Sequence, residues 1–411
     1  MTSESKIRTS HDVCDVCIVG GAGHVGAPLA LVFAKHGLRT LIYDVNRAAL
    51  DMLAAGKMPF LENGGQELLR EVLPTGRLTL SADIADVAQI PHVIVTIGTP
   101  IDEFHNPMLR VVIDCVDALL PHLSDAQTLI LRSTVFPGVT EHVDRYLRNH
   151  GKQTKVAFCP ERVVQGHSIE ELQTLPQIVS GTTKDAEEAA VRLFSKIAPE
   201  VVRMVTKEAE FAKLISNAYR YIQFAATNQF YMMVETAGLD YHRLLDGLKL
   251  DYPRARDLPG PGFAAGPCLY KDTLQLAAFA NGQFGLGYSA IQINEGLPAF
   301  LLSQLSRRYR LDEMTVGLLG MAFKSDSDDV RSSLSYKLKK LLRFHARQVL
   351  TTDPFVTQDP EIVPKDDLIA QSDLLILCVP HSDYKNLDPL GKPVIDLWSS
   401  PHKWAASQNL P

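Results

Sequence analysis

An apolar run over residues 13–19 leads straight into Gly20-Gly21-Ala22-Gly23-His24-Val25-Gly26, and residues 27–36 behind it have the spacing of an amphipathic helix. Strand, glycine-rich turn and helix in that order leave few folds open, because each glycine answers a different steric demand. Gly21 permits the tight turn, Gly23 lets backbone approach a pyrophosphate, and Gly26 lets the helix pack on the strand. The helix N-terminus, with His24 and Val25 in the turn before it, favours anionic phosphate. A second strand over residues 40–43 ends in Asp44, placed to accept from a ribose 2′-hydroxyl and to repel the 2′-phosphate of NADP. The pattern predicts a dinucleotide site that takes NAD.

The alternation continues. Residues 93–97 end at Gly98-Thr99-Pro100, residues 128–131 at Arg132-Ser133-Thr134, and residues 155–158 at Cys159-Pro160-Glu161-Arg162. Continuous apolar strands separated by helices predict an α/β architecture with a parallel sheet covered on both faces. Ligands of such sheets lie beyond the carboxyl ends of the strands, where Thr99, Thr134 and Glu161 all fall. Each of them also suits an ordinary cap or turn.

From about Glu208 the period changes. Ala209, Ala212, Leu214, Ile215, Ala218, Ile222, Ala225 and Ala226 predict one long helix that runs past Phe230. Lys213 and Asn217 stand one turn apart on it and share a face, which by spacing alone is a solvated pair. Residues 275–307 read as further helix with a break near Asn281-Gly282. A helical region of this size between two sheet patterns predicts an oligomer interface. The last third returns to α/β, with strands over 316–320, 349–352, 374–379 and 394–396 and a helix over 332–346.

Between the helical patterns, Pro259, Pro261 and Pro267 alternate with Gly260, Gly262 and Gly266, so neither helix nor central strand runs through. Directly behind come Cys268, Lys271 and Asp272. A cysteine on such a loop at a helix start can be a lowered-pKa nucleophile, although most free cysteines are small buried hydrophobes. A second loop, residues 321–331, follows the first strand of the last third. Its Lys324 and Arg331 suit phosphate, with Ser332 and Ser333 as helix caps; the plain alternative is a solvated acidic turn.

Composition closes off other classes. A net charge of −6 over 411 residues disfavours general nucleic-acid binding. No apolar run is long enough to cross a membrane. The first ten residues are polar, without the apolar core of a signal peptide, and predict a disordered tail. Six cysteines scattered over this length make no disulfide framework and point to a reducing, cytoplasmic setting. Cys14 and Cys17 have the spacing of a redox or zinc pair, but no second pair completes a metal site.

The order of motifs resembles the UDP-glucose/GDP-mannose dehydrogenase family. The likeness runs from the Gly21 fingerprint through Gly98-Thr99-Pro100, Ser133-Thr134-Val135-Phe136-Pro137-Gly138 and Pro160-Glu161-Arg162. It continues through the Lys213/Asn217 helix and the Cys268 loop to Ala322-Phe323-Lys324 and Asp328-Asp329-Val330-Arg331. It implies two Rossmann-like doubly wound domains joined by a long central helix and a helical dimerisation domain. The portions would be residues 1–205 for NAD, 206–305 for dimerisation and the cysteine loop, and 306–411 for the nucleotide. The implied activity is oxidation of a UDP-sugar C6 alcohol to a carboxylate with two NAD+, in a homodimer. Cys268 would be the nucleophile, Lys213 and Asn217 would stabilise oxyanion charge, Asp272 would help proton transfer, and Thr134 and Glu161 would hold water. Thr99, Thr134 and Lys271 would also face the cofactor. Arg162, Arg254 (from the neighbouring subunit), Phe263, Gly266, Lys324 and Arg331 would meet the substrate, together with Glu161, Lys213 and Asn217.

The chain departs from the family pattern at four places. Ala264 and Ala265 stand for glycines, Pro267 precedes the cysteine, Gln165 stands for a second acid, and Trp398 falls where an arginine is expected. The alternative is a two-electron dehydrogenase of the 3-hydroxyacid type, which shares the fold plan and a Lys-x-x-x-Asn helix but gives Cys268 no use. An epimerase is excluded because Tyr336-Lys337 and Tyr384-Lys385 lack the Tyr-x-x-x-Lys spacing.

Overall fold

Short runs rich in β-branched and aliphatic residues set the first sheet. In the computed structural model, which describes residues 14–398, β1 (Val16–Val19), β2 (Thr40–Tyr43) and β5 (Thr128–Leu131) are buried at every residue. With β3 (Leu78–Ser81), β4 (His92–Val95), β6 (Lys155–Phe158), β7 (Gln177–Gly181) and β8 (Val201–Arg203) they form one sheet ordered β3-β2-β1-β4-β5-β6-β7-β8. Every pairing is parallel except β6 with β7. Chain order reverses between β1 and β4, which opens a crevice at their carboxyl ends. Apolar clusters fill both faces, one around Leu29, Leu31 and Phe33, the other around Val116, Val143 and Leu147. The edge strands β3 and β8 and the antiparallel β7 escaped the sequence reading. β3 and β8 are only partly buried, so they lack a continuous apolar run.

The chain divides into two compact units at Ile215/Ser216, within the 31-residue helix Thr206–Thr236. The second unit holds helices Tyr241–Lys249, Leu269–Phe279 and Gly285–Arg308, with a second, all-parallel sheet. Its strands β9 (Thr315–Leu319), β10 (Gln348–Thr352), β11 (Leu374–Leu377) and β12 (Val394–Asp396) run in the order β10-β9-β11-β12. One apolar cluster joins Tyr231, Phe263, Leu301, Leu318 and Leu338, so sheet and helices of this unit share a core.

Boundaries differ from the sequence reading for local reasons. The break between the last two long helices holds Asn281 at φ +48 and Gly282 at φ +78, a turn that no helix continues. The helix expected over 332–346 is shorter, Leu334–Leu342, because Ser332 sits at φ +54 and Ser333 accepts from the N–H of Ser335 as its cap. The polar tail and the Val13 end of the first strand lie outside the described residues. Among the described residues, no helix is long and apolar enough to cross a membrane.

Candidate active site

The turn after β1 shows two different uses of glycine. A Cβ at Gly21 would lie 2.6 Å from the Ile18 carbonyl oxygen, and one at Gly26 would lie 2.6 Å from Gly21 Cα and 2.9 Å from Thr96 Oγ1. Those two are glycine because the chain itself leaves no room. A Cβ at Gly23 would meet only Gly20 O, at an ordinary 3.5 Å. Protein packing does not require glycine there, which fits a ligand passing close to the backbone. Helix Gly26–Lys35 begins with no side-chain cap, as a phosphate site requires. Asp44 Oδ2 accepts from the N–H of Ala22 at 2.9 Å and Oδ1 from Asn46 N, so the carboxylate also holds the turn it serves. His24 stacks on Phe60 at 4.0 Å and pairs through Nδ1 with Gln165 Nε2 at 3.1 Å. Gln165 therefore braces the fingerprint rather than leaving a gap where an acid was expected.

The neighbouring strand ends are tied together. Thr99 Oγ1 donates to the Thr134 carbonyl at 2.6 Å. Glu161 is more occupied than its sequence role suggests. Its Oε2 accepts from Nε and Nη2 of Arg132, and its Oε1 from the N–H groups of Arg162 and Val163. Arg132 is 1% exposed and lies over the Phe194 ring. A buried charge of this kind needs its partner, so Glu161 is first a counter-ion and a brace for its turn. The Arg162 guanidinium donates to the Pro176 carbonyl, again within its own chain. The sequence reading gave Arg132 no role; a charged residue at the end of an all-apolar strand was the available signal.

In the second unit, Cys268 is the N-cap of helix Leu269–Phe279 and is exposed. The other thiols differ. Burial pushes Cys14 up, Cys115 up to about 11 and Cys159 up to about 12, while Cys17 and Cys378 are raised further still. Those five are packing residues, and the Cys14/Cys17 spacing carries no redox pair. One turn beyond Cys268, the N–H of Asp272 donates to its carbonyl at 2.9 Å. Asp272 is wholly buried and accepts from Asn217 Nδ2 at 2.6 Å, while Lys271 Nζ lies 3.3 Å from its other oxygen. Asn217 and Lys213 sit one turn apart on Thr206–Thr236, Asn217 buried and Lys213 half-buried. Of the two residues that read as a solvated pair, Asn217 is therefore buried and anchors the carboxylate behind the cysteine.

The loop ahead of Cys268 is pinned along its length. Phe263 is 3% exposed with its ring in the apolar core, which leaves only its backbone to meet a substrate. Gly266 is at φ +103, and a Cβ there would strike the Phe323 ring at 2.6 Å. Phe323 belongs to the loop after β9, which also carries Lys324 and Arg331. The Arg331 guanidinium grips Asp329 through Nε and Nη2, which holds its pKa above the ordinary value and keeps part of its charge at home. Arg254 is exposed on the segment before the Gly/Pro loop, its guanidinium 5.7 Å from the Tyr252 ring centroid. Trp398 points inward, its Nε1 donating to the Cys378 carbonyl at 2.8 Å.

Set beside known proteins, residues 14–198 match the NAD binding domain of the UDP-glucose/GDP-mannose dehydrogenase family. Residues 207–295 match its central domain and 317–399 its UDP binding domain. The chain belongs to that family. It is 28% identical over 386 residues to a UDP-N-acetyl-D-mannosamine dehydrogenase of Pyrococcus horikoshii, covering 90% of this chain and 91% of that one. An NDP-N-acetyl-D-galactosaminuronic acid dehydrogenase of Ralstonia nicotianae is 27% identical, with 90% and 92% covered. The structure of a UDP-glucose dehydrogenase from Pyrobaculum islandicum superposes with a TM-score of 0.88 at 26% identity, covering 98% of this chain and 97% of that one. NAD is thus the family's cofactor, and the open approach at Gly23, the uncapped helix and Asp44 are what such a cofactor needs.

Proposed function

We propose that this enzyme of the nucleotide-sugar dehydrogenase family oxidises the C6 primary alcohol of a UDP-sugar to the carboxylate, through a thiohemiacetal and a thioester on Cys268. The observation that carries the reading is the contrast among the cysteines: Cys268 alone is exposed, at a helix start, one turn from the buried Asn217–Asp272 pair. Bound NAD+ supplies the hydride acceptor, once for the alcohol and once for the thiol adduct.

The chain's own residues divide the remaining work. Gly21, Gly23, His24, Val25, Gly26 and Asp44 hold the dinucleotide, with Thr99, Thr134 and Lys271 nearer its reactive end. Asp272, fixed by Asn217, takes the alcohol proton as the first hydride leaves. The Cys268 sulfur then adds to the aldehyde carbon, and its proton passes to the new alkoxide, which Lys213 and Asn217 stabilise. Loss of a second hydride and the hydroxyl proton makes the thioester. Water, held by Thr134 and Glu161, adds to that carbon; the C–S bond breaks and releases the carboxylate and the thiol. Two NAD+ and one water give two NADH and the acid, so electrons balance.

Lys324 and Arg331 bind the diphosphate, Arg162 and Arg254 extend the charged surface, and the backbone at Phe263 and Gly266 lines the sugar. The portions 1–205, 206–305 and 306–411 serve as cofactor, dimer and nucleotide domains of a cytoplasmic homodimer. Apolar side chains left exposed on the central helices, Tyr219 and Met233 at 60% and Leu286 at 62%, support a partner there. UDP-glucose and UDP-N-acetylhexosamines are the substrates to try first. A panel of these with NAD+, followed by absorbance and product mass, tests the reading. Two NADH per uronate are expected from the wild type. One NADH per substrate, or near-normal uronate from Cys268→Ser, overturns it in favour of a two-electron dehydrogenase.

A further inference from the structure

Two buried asparagines stand where a packed helical core asks for aliphatic side chains. Asn228, on Thr206–Thr236, and Asn294, on Gly285–Arg308, are each 0% exposed. Asn228 Oδ1 accepts from the N–H of Gly262 at 2.9 Å, and its Nδ2 donates to the Gly262 carbonyl at 3.0 Å and to Asn294 Oδ1 at 2.9 Å. Asn294 Nδ2 donates to the Tyr221 carbonyl at 3.1 Å. The amide orientation is fixed, because reversing it would set donor against donor at Gly262. Burying amides costs free energy unless every bond is made, so their presence buys geometry rather than bulk stability.

The opposite side of Gly262 is also closed. Gly262 is at φ +148, and a Cβ there would come within 2.5 Å of Cε3 of Trp398. The indole is locked in turn by its bond to the Cys378 carbonyl. Gly262 is therefore gripped between an amide and an indole. From it the chain runs through buried Phe263 and Ala264 to Gly266, whose N–H donates to the Ser332 carbonyl at 3.4 Å, and so to Cys268. Little slack separates the grip from the thiol.

We propose that Asn228 and Trp398 are positioning residues that act on the reaction through Gly262 and the loop bearing Cys268. The inference rests on Cys268 being the nucleophile. It also assigns Trp398 a role of its own: the indole supports the nucleophile loop instead of offering a charge to the nucleotide.

The test uses full-length Asn228→Leu, Asn228→Asp, Trp398→Ala and Trp398→Phe, scored per folded molecule. Asn228→Leu removes both bonds to Gly262, and Asn228→Asp keeps the acceptor alone. Trp398→Phe keeps a ring under Gly262. Expected are a fall in kcat of tenfold or more for Asn228→Leu and Trp398→Ala and a KM for NAD within twofold of wild type. The rate of iodoacetamide labelling at Cys268, located by mass, should also change at least threefold. Trp398→Phe should recover most of the loss, and Asn228→Asp should fall between. A purely structural role would lower the melting temperature while leaving kcat per folded molecule and labelling rate at wild-type values; that result overturns the proposal. If Asn228→Leu does not fold, Asn228→Asp and Trp398→Ala decide by the same readings. Wild type releasing one NADH per sugar would instead defeat the nucleophile reading itself, whatever these variants do.

Discussion

The two sheets solve the same corner differently. After β1 the chain turns through Gly20, and Asp44, just past the neighbouring β2, accepts from the N–H of Ala22. After β9 it turns through Gly320, and Asp353, just past the neighbouring β10, accepts from the N–H groups of Met321 and Ala322. Both carboxylates steady a strand-to-loop turn from the adjacent strand. They part company in what else they do. Asp353 also accepts from Phe355 N, Val356 N and His381 Nε2, and its side chain is wholly buried. His381 has no exposure, and its Nδ1 accepts from Asp326 N. Asp44 has no such ring over it and stays half-buried. The first corner thus leaves its carboxylate partly open, as the proposed ribose contact needs, while the second commits its carboxylate to its own loop. In the second unit the groups proposed to meet the nucleotide are therefore the cations of that loop, Lys324 and Arg331.

The sharpest way to break this comparison is to remove both acids. Asp353→Ala strands backbone donors and a buried imidazole, and should cost about 3–5 kcal/mol in urea unfolding. Asp44→Ala should cost the fold far less, but weaken NAD by about 1–3 kcal/mol and narrow the gap to NADP. Titration of NAD against both variants checks the second half. If Asp353→Ala lost NAD affinity with the fold intact, the two corners would have exchanged their roles.

Within the first corner the glycines sharpen the point at smaller scale. Gly26→Ala forces a methyl against Gly21 Cα and should destabilise by about 1–3 kcal/mol. Gly23→Ala meets no close neighbour, so its melting temperature should hold while NAD binding falls. Equal thermal loss from both would mean that Gly23 serves packing.

What the sequence disclosed follows the range of each interaction. The fingerprint, the acid that ends the second strand and the long helix of period 3.6 are all local patterns, and they read directly. The Cys268 loop read well because prolines and glycines announce themselves. Asn228 did not: one asparagine on a helix face has no periodic signature, and its partner Gly262 is 34 positions away. Arg132 and Glu161, 29 apart, met only through the parallel pairing of β5 with β6. Asp353 was visible as a strand-ending acid like Asp44, but His381, which distinguishes it, could be placed only by the fold. Trp398 read as a missing arginine because sequence shows what a position lacks before it shows what fills it.

The smallest expected effect concerns the sign of pH dependence at buried acids in the two units. Burial pushes the Asp353 carboxyl up, but His381 and the backbone donors more than offset this and leave it below its ordinary 3.8. In the first unit, burial pushes Glu62 above its ordinary 4.5 despite donors from Gly166, Ser168 and Ile169. The consequences are opposite. A depressed acid contributes stability above its unfolded value and loses it as pH falls through the folded one, so Asp353 contributes fully above 3.8 and makes stability depend on pH only below it. A raised acid contributes fully below 4.5 and loses that contribution as pH rises through its folded value. Urea midpoints should be taken between about pH 5 and about pH 7 for wild type, Glu62→Gln and Asp353→Asn. Glu62→Gln, whatever its baseline, should remove part of the fall in stability with rising pH. Asp353→Asn should lie below wild type by a constant amount across that window. A pH-dependent gap for Asp353→Asn, with none for Glu62→Gln, would show that the second corner carries the mobile proton and that its carboxylate is not held ionised by its own loop.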